Sequence, residues 1–191
     1  MYYRLQLTDI LMNTHLSTIE RVVVFSLLLL LGITSRFLPH PPDMTALTAV
    51  IFASALYLGP RLSIILTVLL LVLSDVFIGS YEMPVMISVY GAFLLIAGIG
   101  VIFARLQKIE HKALILVSAS VVFFLITNAA VWYFTPWYSK DLTGLMTSYT
   151  LGLPFLKNML VGDFFYTPAL LLVLAAFRYS YRVTTHSAYA S

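Results

Sequence analysis

The stretch Ile64–Leu73 reads I-I-L-T-V-L-L-L-V-L, ten residues of which nine are apolar, with no polar side to turn toward water. A soluble amphipathic helix keeps a polar face and a membrane-barrel strand alternates apolar and polar positions; this run does neither. It lies within an apolar segment from about Arg61 to Ile78, close to the roughly 20 residues that carry a helix across a bilayer of about 30 Å. Val22–Leu31 repeats the pattern. Across the 191 residues, 61% are hydrophobic and 10% charged, with mean hydropathy +0.96, against about 25% charged in a soluble domain. Composition and run length together predict an all-α integral membrane protein, because only helices satisfy their own backbone groups while exposing so much apolar surface to lipid.

Working outward, apolar runs and breakers predict six transmembrane spans. The first covers about Glu20 to Phe37 and stops at L-P-H-P-P, where Pro39, Pro41 and Pro42 end a helix. Asp43 and Thr45 offer N-caps for a second, about Thr45 to Leu58, whose alanines suggest burial against other helices. The third is Arg61 to Ile78, the fourth about Met83 to Ala104, and the fifth about Ala113 to Phe134. A link from Thr135 to Gly152 is predicted as interfacial or re-entrant, and a sixth span runs from Pro154, placed as a helix start, to Phe177. The expected organisation is an interfacial lead-in at 1–19, one membrane domain at 20–177 and a polar cytoplasmic tail at 178–191.

With six spans, eight of the eleven basic residues, including Arg61, Arg105, Lys108 and Lys112, fall on the side of the termini; Arg36, Lys140 and Lys157 fall on the other. The positive-inside rule then places both termini in the cytoplasm. A formal charge of +3 reports this topology rather than a nucleic-acid partner. The absence of cysteine excludes disulfides and thiolate metal sites; no H-E-x-x-H or G-x-x-x-x-G-K-[ST] occurs, and the histidines are far apart. No cofactor or metal is expected.

Polar residues inside apolar runs locate a candidate site. T-N-A-A-V-W-Y-F-T-P-W-Y-S-K-D (Thr127–Asp141) and L-P-F-L-K-N-M-L-V-G-D-F-F-Y (Leu153–Tyr166) carry Asn128, Trp132, Trp137, Tyr138, Lys157, Asn158 and Asp163. A carboxylate at the centre of a spanning helix costs about 3 kcal/mol, so it normally faces a cavity or a partner. Counted from the expected span ends, Asp75, Asn128 and Asp163 all fall in the outer half, with Arg36 and His40 at the outer end of the first span. The expected arrangement is an outward-open cup for a small solute, with Asp163 and Asn128 at its centre and the tryptophans and Lys157 at its rim. Two plainer expectations compete: Trp132, Trp137 and Tyr138 as an interfacial aromatic belt, and Arg36 and Lys157 reaching to membrane lipid headgroups. No nucleophile and base stand at helical spacing, so the sequence predicts no enzyme; a small intramembrane one would draw on His40, Asp75 or Asp163.

R-F-L-P-H-P-P-D-M-T (Arg36–Thr45), L-S-D-V-F-I-G (Leu73–Gly79) and the two polar stretches above together resemble the DUF6580 family of bacterial membrane proteins, held to be transport proteins. The layout is similar, more loosely, to the S component of energy-coupling factor (ECF) vitamin transporters. That resemblance implies a bacterial inner-membrane protein that captures a vitamin-like solute from outside, with a separate membrane coupling subunit and ATPase subunits supplying energy. S components dock on the coupling subunit through a small-residue pair on the first helix; the nearest counterpart here is Ala49 and Ala53, on the second. The resemblance brings no histidine pattern of nickel or cobalt uptake. A similar six-helix layout occurs in rod-shape assembly membrane proteins, which are scaffolds without a solute.

Overall fold

The computed structural model describes residues 16–79 and 81–189. Those residues form six α-helices and no strand: α1 (Thr18–Phe37), α2 (Leu47–Tyr57), α3 (Pro60–Ile78), α4 (Met83–Arg105), α5 (Ile109–Phe134) and α6 (Leu142–Tyr189). Five are long and apolar enough to cross a membrane, α6 over Leu142–Tyr179. The expected lead-in lies outside the described residues except at its end, where Ser17 and Glu20 form a reciprocal capping box that starts α1 at Thr18. On α1 the buried positions Val24, Leu28, Gly32 and Ser35 share one face, while Ile19, Val22 and Leu30 point outward. With Val76 and Phe77 of α3 above 70% exposed, such apolar outer faces suit lipid rather than water. The protein is a multi-pass helical membrane bundle.

Direction follows from pairing. Arg36 near the end of α1 bonds Asp75 near the end of α3 at 2.6 Å, so the two helices run parallel and residues 38–59 must return between them. Tyr90, early in α4, bonds the same carboxylate. Ser120 of α5 meets Asp163 of α6, and Ser148 meets the Asn128 carbonyl, so α5 and α6 are antiparallel. The chain therefore passes the bundle an even number of times, but one pass is no full span.

That pass is α2, and here the expected six spans need correcting. Its eleven residues rise about 16 Å, roughly half the hydrocarbon thickness. Ten of them are buried, packed against α1, α3, α4 and α6. Gly59, at φ 84°, and Pro60 end the helix and start α3. Its buried serine is satisfied close by: Ser54 Oγ bonds the Ile51 carbonyl at 2.7 Å and Ser63 Oγ of α3 at 2.8 Å. Asp43 and Thr45 do not cap it. The N-cap is Ala46, without a side-chain bond, and its N–H donates to Ser35 Oγ of α1. Ala49 and Ala53, expected on a face that docks a coupling subunit, are 1% and 0% exposed and present no surface to any partner.

The second correction is the link at 135–152. Residues from Leu142 onward belong to α6, a continuous helix of 48 residues with Pro154 and Pro168 inside it. Pro154 is thus no helix start. Tertiary contacts override it: Ser148 Oγ and Tyr149 Oη donate to the Asn128 and Leu125 carbonyls of α5, and the Tyr149 ring packs on Phe124. The start is set by Asp141, whose Oδ1 accepts from the Gly144 N–H at 2.7 Å and from Ser139 Oγ at 2.9 Å. A side chain at position 144 would strike the Ser139 carbonyl, which is why glycine stands there. These bonds, the Gly144 N–H foremost, hold the Asp141 carboxyl below its ordinary range. A depressed carboxyl contributes stability that is present above its unfolded pKa and lost as pH falls through the folded one. Asp141→Ala is expected to speed amide exchange over 142–150 and Asp141→Asn to leave most of the protection; in the wild type, exchange there should rise only at pH below the usual carboxylate range.

Candidate functional site

At the end of the bundle where Arg36 lies, a cavity of about 490 Å³ opens between α4, α5 and α6, within the range of small-molecule sites. Its floor includes Leu47 and Thr48, the first residues of α2, with Phe123 and Met159. Loop residues His40, Asp43, Tyr81, Trp137 and Tyr138 rim it, and Arg36, Thr127, Asn128 and Phe93 stand in its walls. The space exists because α2 is short.

Each polar group is positioned by neighbours. Arg36 Nη1 donates to Asp75 Oδ1 at 2.6 Å and to Ser74 Oγ; Tyr90 Oη donates to Asp75 Oδ2 at 2.9 Å. α1, α3 and α4 are clasped through one carboxylate. His40 Nδ1 lies 2.8 Å from the Pro41 carbonyl; as donor there it carries its proton on Nδ1. Asp43 sits in the left-handed region at φ 63°, which aspartate tolerates better than most residues. Burial among the cavity residues pushes its carboxyl up from the ordinary value, and His40 pulls it partly back. Asn128 Nδ2 is fixed to the Phe124 carbonyl at 2.9 Å, and its Oδ1 packs over Gly152, where a side chain would collide with it.

The structure brings Arg36, His40, Asn128, Trp137 and Tyr138 around one cavity and leaves five expected residues off it. Asp163 is 1% exposed and lies beneath the floor, accepting from Ser120 Oγ at 2.7 Å and from Thr48. It sits level with Ser120, midway along α5, not in the outer half, because α6 begins twelve residues before Pro154. Asp75 is held behind Arg36. Asn158 Nδ2 donates to the Pro42 carbonyl at 3.0 Å, tying α6 to the loop. Trp132 Nε1 donates to the Ser139 carbonyl at 2.8 Å, and Lys140 caps the end of α5 by donating to the Trp132 and Thr135 carbonyls. Lys157 is exposed on α6, away from the cavity.

Five polar lining residues were not foreseen as such: Asp43, Thr45, Thr48, Thr127 and Tyr81. Asp43 had a signal, an acid seven residues after Arg36 in a proline-rich loop; Thr48 and Thr127 had none, since a threonine in a spanning helix ordinarily bonds its own backbone, as Thr127 does with the Phe123 carbonyl. No group of three or more His, Asp or Glu residues among those described is placed to hold a metal.

The clasp generates an expectation. Asp75→Ala leaves a largely buried guanidinium without its carboxylate, a change that typically costs about 3 to 5 kcal/mol when the pair is buried, reduced here because the Arg36 side chain is 17% exposed. A loss of about 2 kcal/mol in unfolding stability is expected. Tyr90→Phe, which removes one neutral donor, should cost about 1 kcal/mol. Chemical denaturation in detergent micelles measures both.

No curated protein and no solved structure matches the chain. A family model does match, over residues 16–185 and thus over all six helices up to the last turn of α6, so the chain belongs to the family of unknown function DUF6580.

Proposed function

We propose that the protein is a solute-binding membrane transport protein that takes a small vitamin-like solute into the cavity beside Arg36, in the manner of an ECF S component. The observation that carries this reading is the 490 Å³ cavity itself: a bundle built only to scaffold other proteins has no need to leave such a space above the start of its short central helix. Aromatic walls, fixed amide and hydroxyl groups and a few charges are what small-ligand sites use for area and orientation.

In this reading the chain passes the bacterial inner membrane six times, α2 with its loop making the second pass, and both termini are cytoplasmic. The clustering of eight of eleven basic residues on the side of the termini supports that orientation, and it turns the cavity outward. Asp163 stabilises the floor rather than touching solute. Energy comes from a separate coupling subunit and ATPase subunits, and their contact has to use an outer helix face, since Ala49 and Ala53 are enclosed.

The test is ligand-dependent thermal stability of the detergent-purified protein across a panel of vitamins and nucleobases. A ligand at 100 times its Kd stabilises by about 2.7 kcal/mol, so one compound class should raise the melting temperature by several degrees, and Thr127→Trp, which fills the cavity, should abolish the shift while the protein stays folded. If nothing in the panel shifts the melting temperature, and loss of the protein alters cell shape with nutrient uptake intact, the scaffold reading replaces this one.

A further inference from the structure

Resting on the solute-binding reading above, we propose that the cavity selects a small anionic aromatic solute, an aromatic or heteroaromatic acid, with the acid group held toward Arg36 and His40 and the ring against the aromatic walls.

The argument begins with the guanidinium. Both bonds that Arg36 makes to α3 leave from Nη1, so the clasp uses none of the N–H groups on Nη2 and Nε, while the residue also lines the cavity. Asp75 meanwhile is 9% exposed and does not line it. The cation reaches the cavity; the anion that balances it is walled off behind. A guanidinium with open donors is suited to a carboxylate or phosphate.

Three further features act in the same sense. His40 lines the cavity and, with Nδ1 turned to the Pro41 carbonyl, keeps Nε2 for another partner. Leu47 and Thr48 bring the uncapped start of α2 to the floor, where backbone N–H groups and the helix dipole favour negative charge. Among the described residues Asp43 is the only carboxylate that lines the cavity; burial raises its pKa, which works against its charged form, and His40 pulls the other way. Phe93, Phe123, Phe155, Tyr81 and Trp137 then supply flat apolar surface for a ring.

The experiment uses the full-length protein in detergent, with three matched probe sets: acids (benzoate, indole-3-acetate, phenyl phosphate), neutral amides (benzamide, indole-3-acetamide) and an amine (benzylamine). Thermal shift and Trp137 fluorescence are the readouts, Trp132→Phe being the background that isolates Trp137. The acids should bind at least about ten-fold more tightly than the amides, the scale of one charge-assisted hydrogen bond. His40→Gln should narrow that ratio and Asp43→Asn should widen it. Both lie in the loop, and circular dichroism and melting without ligand confirm that the fold is kept. Amides or the amine binding as well as the acids, or Asp43→Asn weakening every probe, would overturn the anionic class and leave the solute-binding reading standing. No response in any set would overturn both.

Discussion

An eleven-residue helix cannot reach both faces of a membrane, and most of this architecture follows from enclosing one. At about 1.5 Å per residue α2 leaves roughly 14 Å of the hydrocarbon thickness unfilled. At least one of its backbone ends therefore lies at membrane depth, which is tolerated only inside protein or beside a cavity. The neighbouring helices enclose it: Gly100 of α4 lets Phe52 and Ala55 approach, Phe52 stacks on Phe103 at 4.7 Å, and Ser63 of α3 joins Ser54. At its far end the Arg178 guanidinium lies 5.4 Å over the Tyr57 ring. At its near end the 38–46 loop dips in as far as Met44, against which Gly162 packs. What the loop does not fill is the cavity.

Polar groups are distributed so that none of the carboxylates at depth stands bare. Asp75 accepts from Arg36 and Tyr90; Asp163 accepts from Ser120 and Thr48. The two differ in kind. Asp75 joins three helices around a cation near the bundle end, whereas Asp163 joins α2, α5 and α6 through hydroxyls alone. Thr48 belongs to both the cavity floor and the Asp163 contact, so the geometry of the floor depends on a residue that never touches the cavity.

Helix type and most boundaries were legible in the sequence because apolar runs without a polar face admit one reading in lipid. The Pro39–Pro42 break and the Gly59–Pro60 turn follow from residues alone. α2 was half legible: its alanines announced burial, but nothing in the sequence distinguishes a short span from an enclosed helix. α6 was misread because Pro154 obeys the rule for a helix start; the hydroxyls of Ser148 and Tyr149, which pin the preceding turns to α5, have no local signature. That one error moved Asp163. Counted from Pro154 it lies about 13 Å into a helix, counted from Leu142 about 32 Å. The distance of Asn128 from its helix end is unchanged, because that end, Phe134, lies where the sequence puts it. The pairing of Asp163 had no signal, since it depends on which turn of α5 meets α6, and neither did that of Lys140, which folds back from the loop onto the end of α5.

The same enclosure constrains transport in the proposed reading. Below Thr48 the bundle is closed by Phe52, Ala53, Leu66 and Ile96, each 1% exposed or less, and close-packed interiors of that kind have no continuous path for a solute. Delivery to the other side then requires α2 to part from α4 or α6, or the whole bundle to reorient. Parting α2 from α6 would separate Thr48 from Asp163 and expose a carboxylate to the bilayer interior, a cost of several kcal/mol. Reorientation keeps every one of those contacts. In that reading the packing favours a bundle that moves as one body over a gate within.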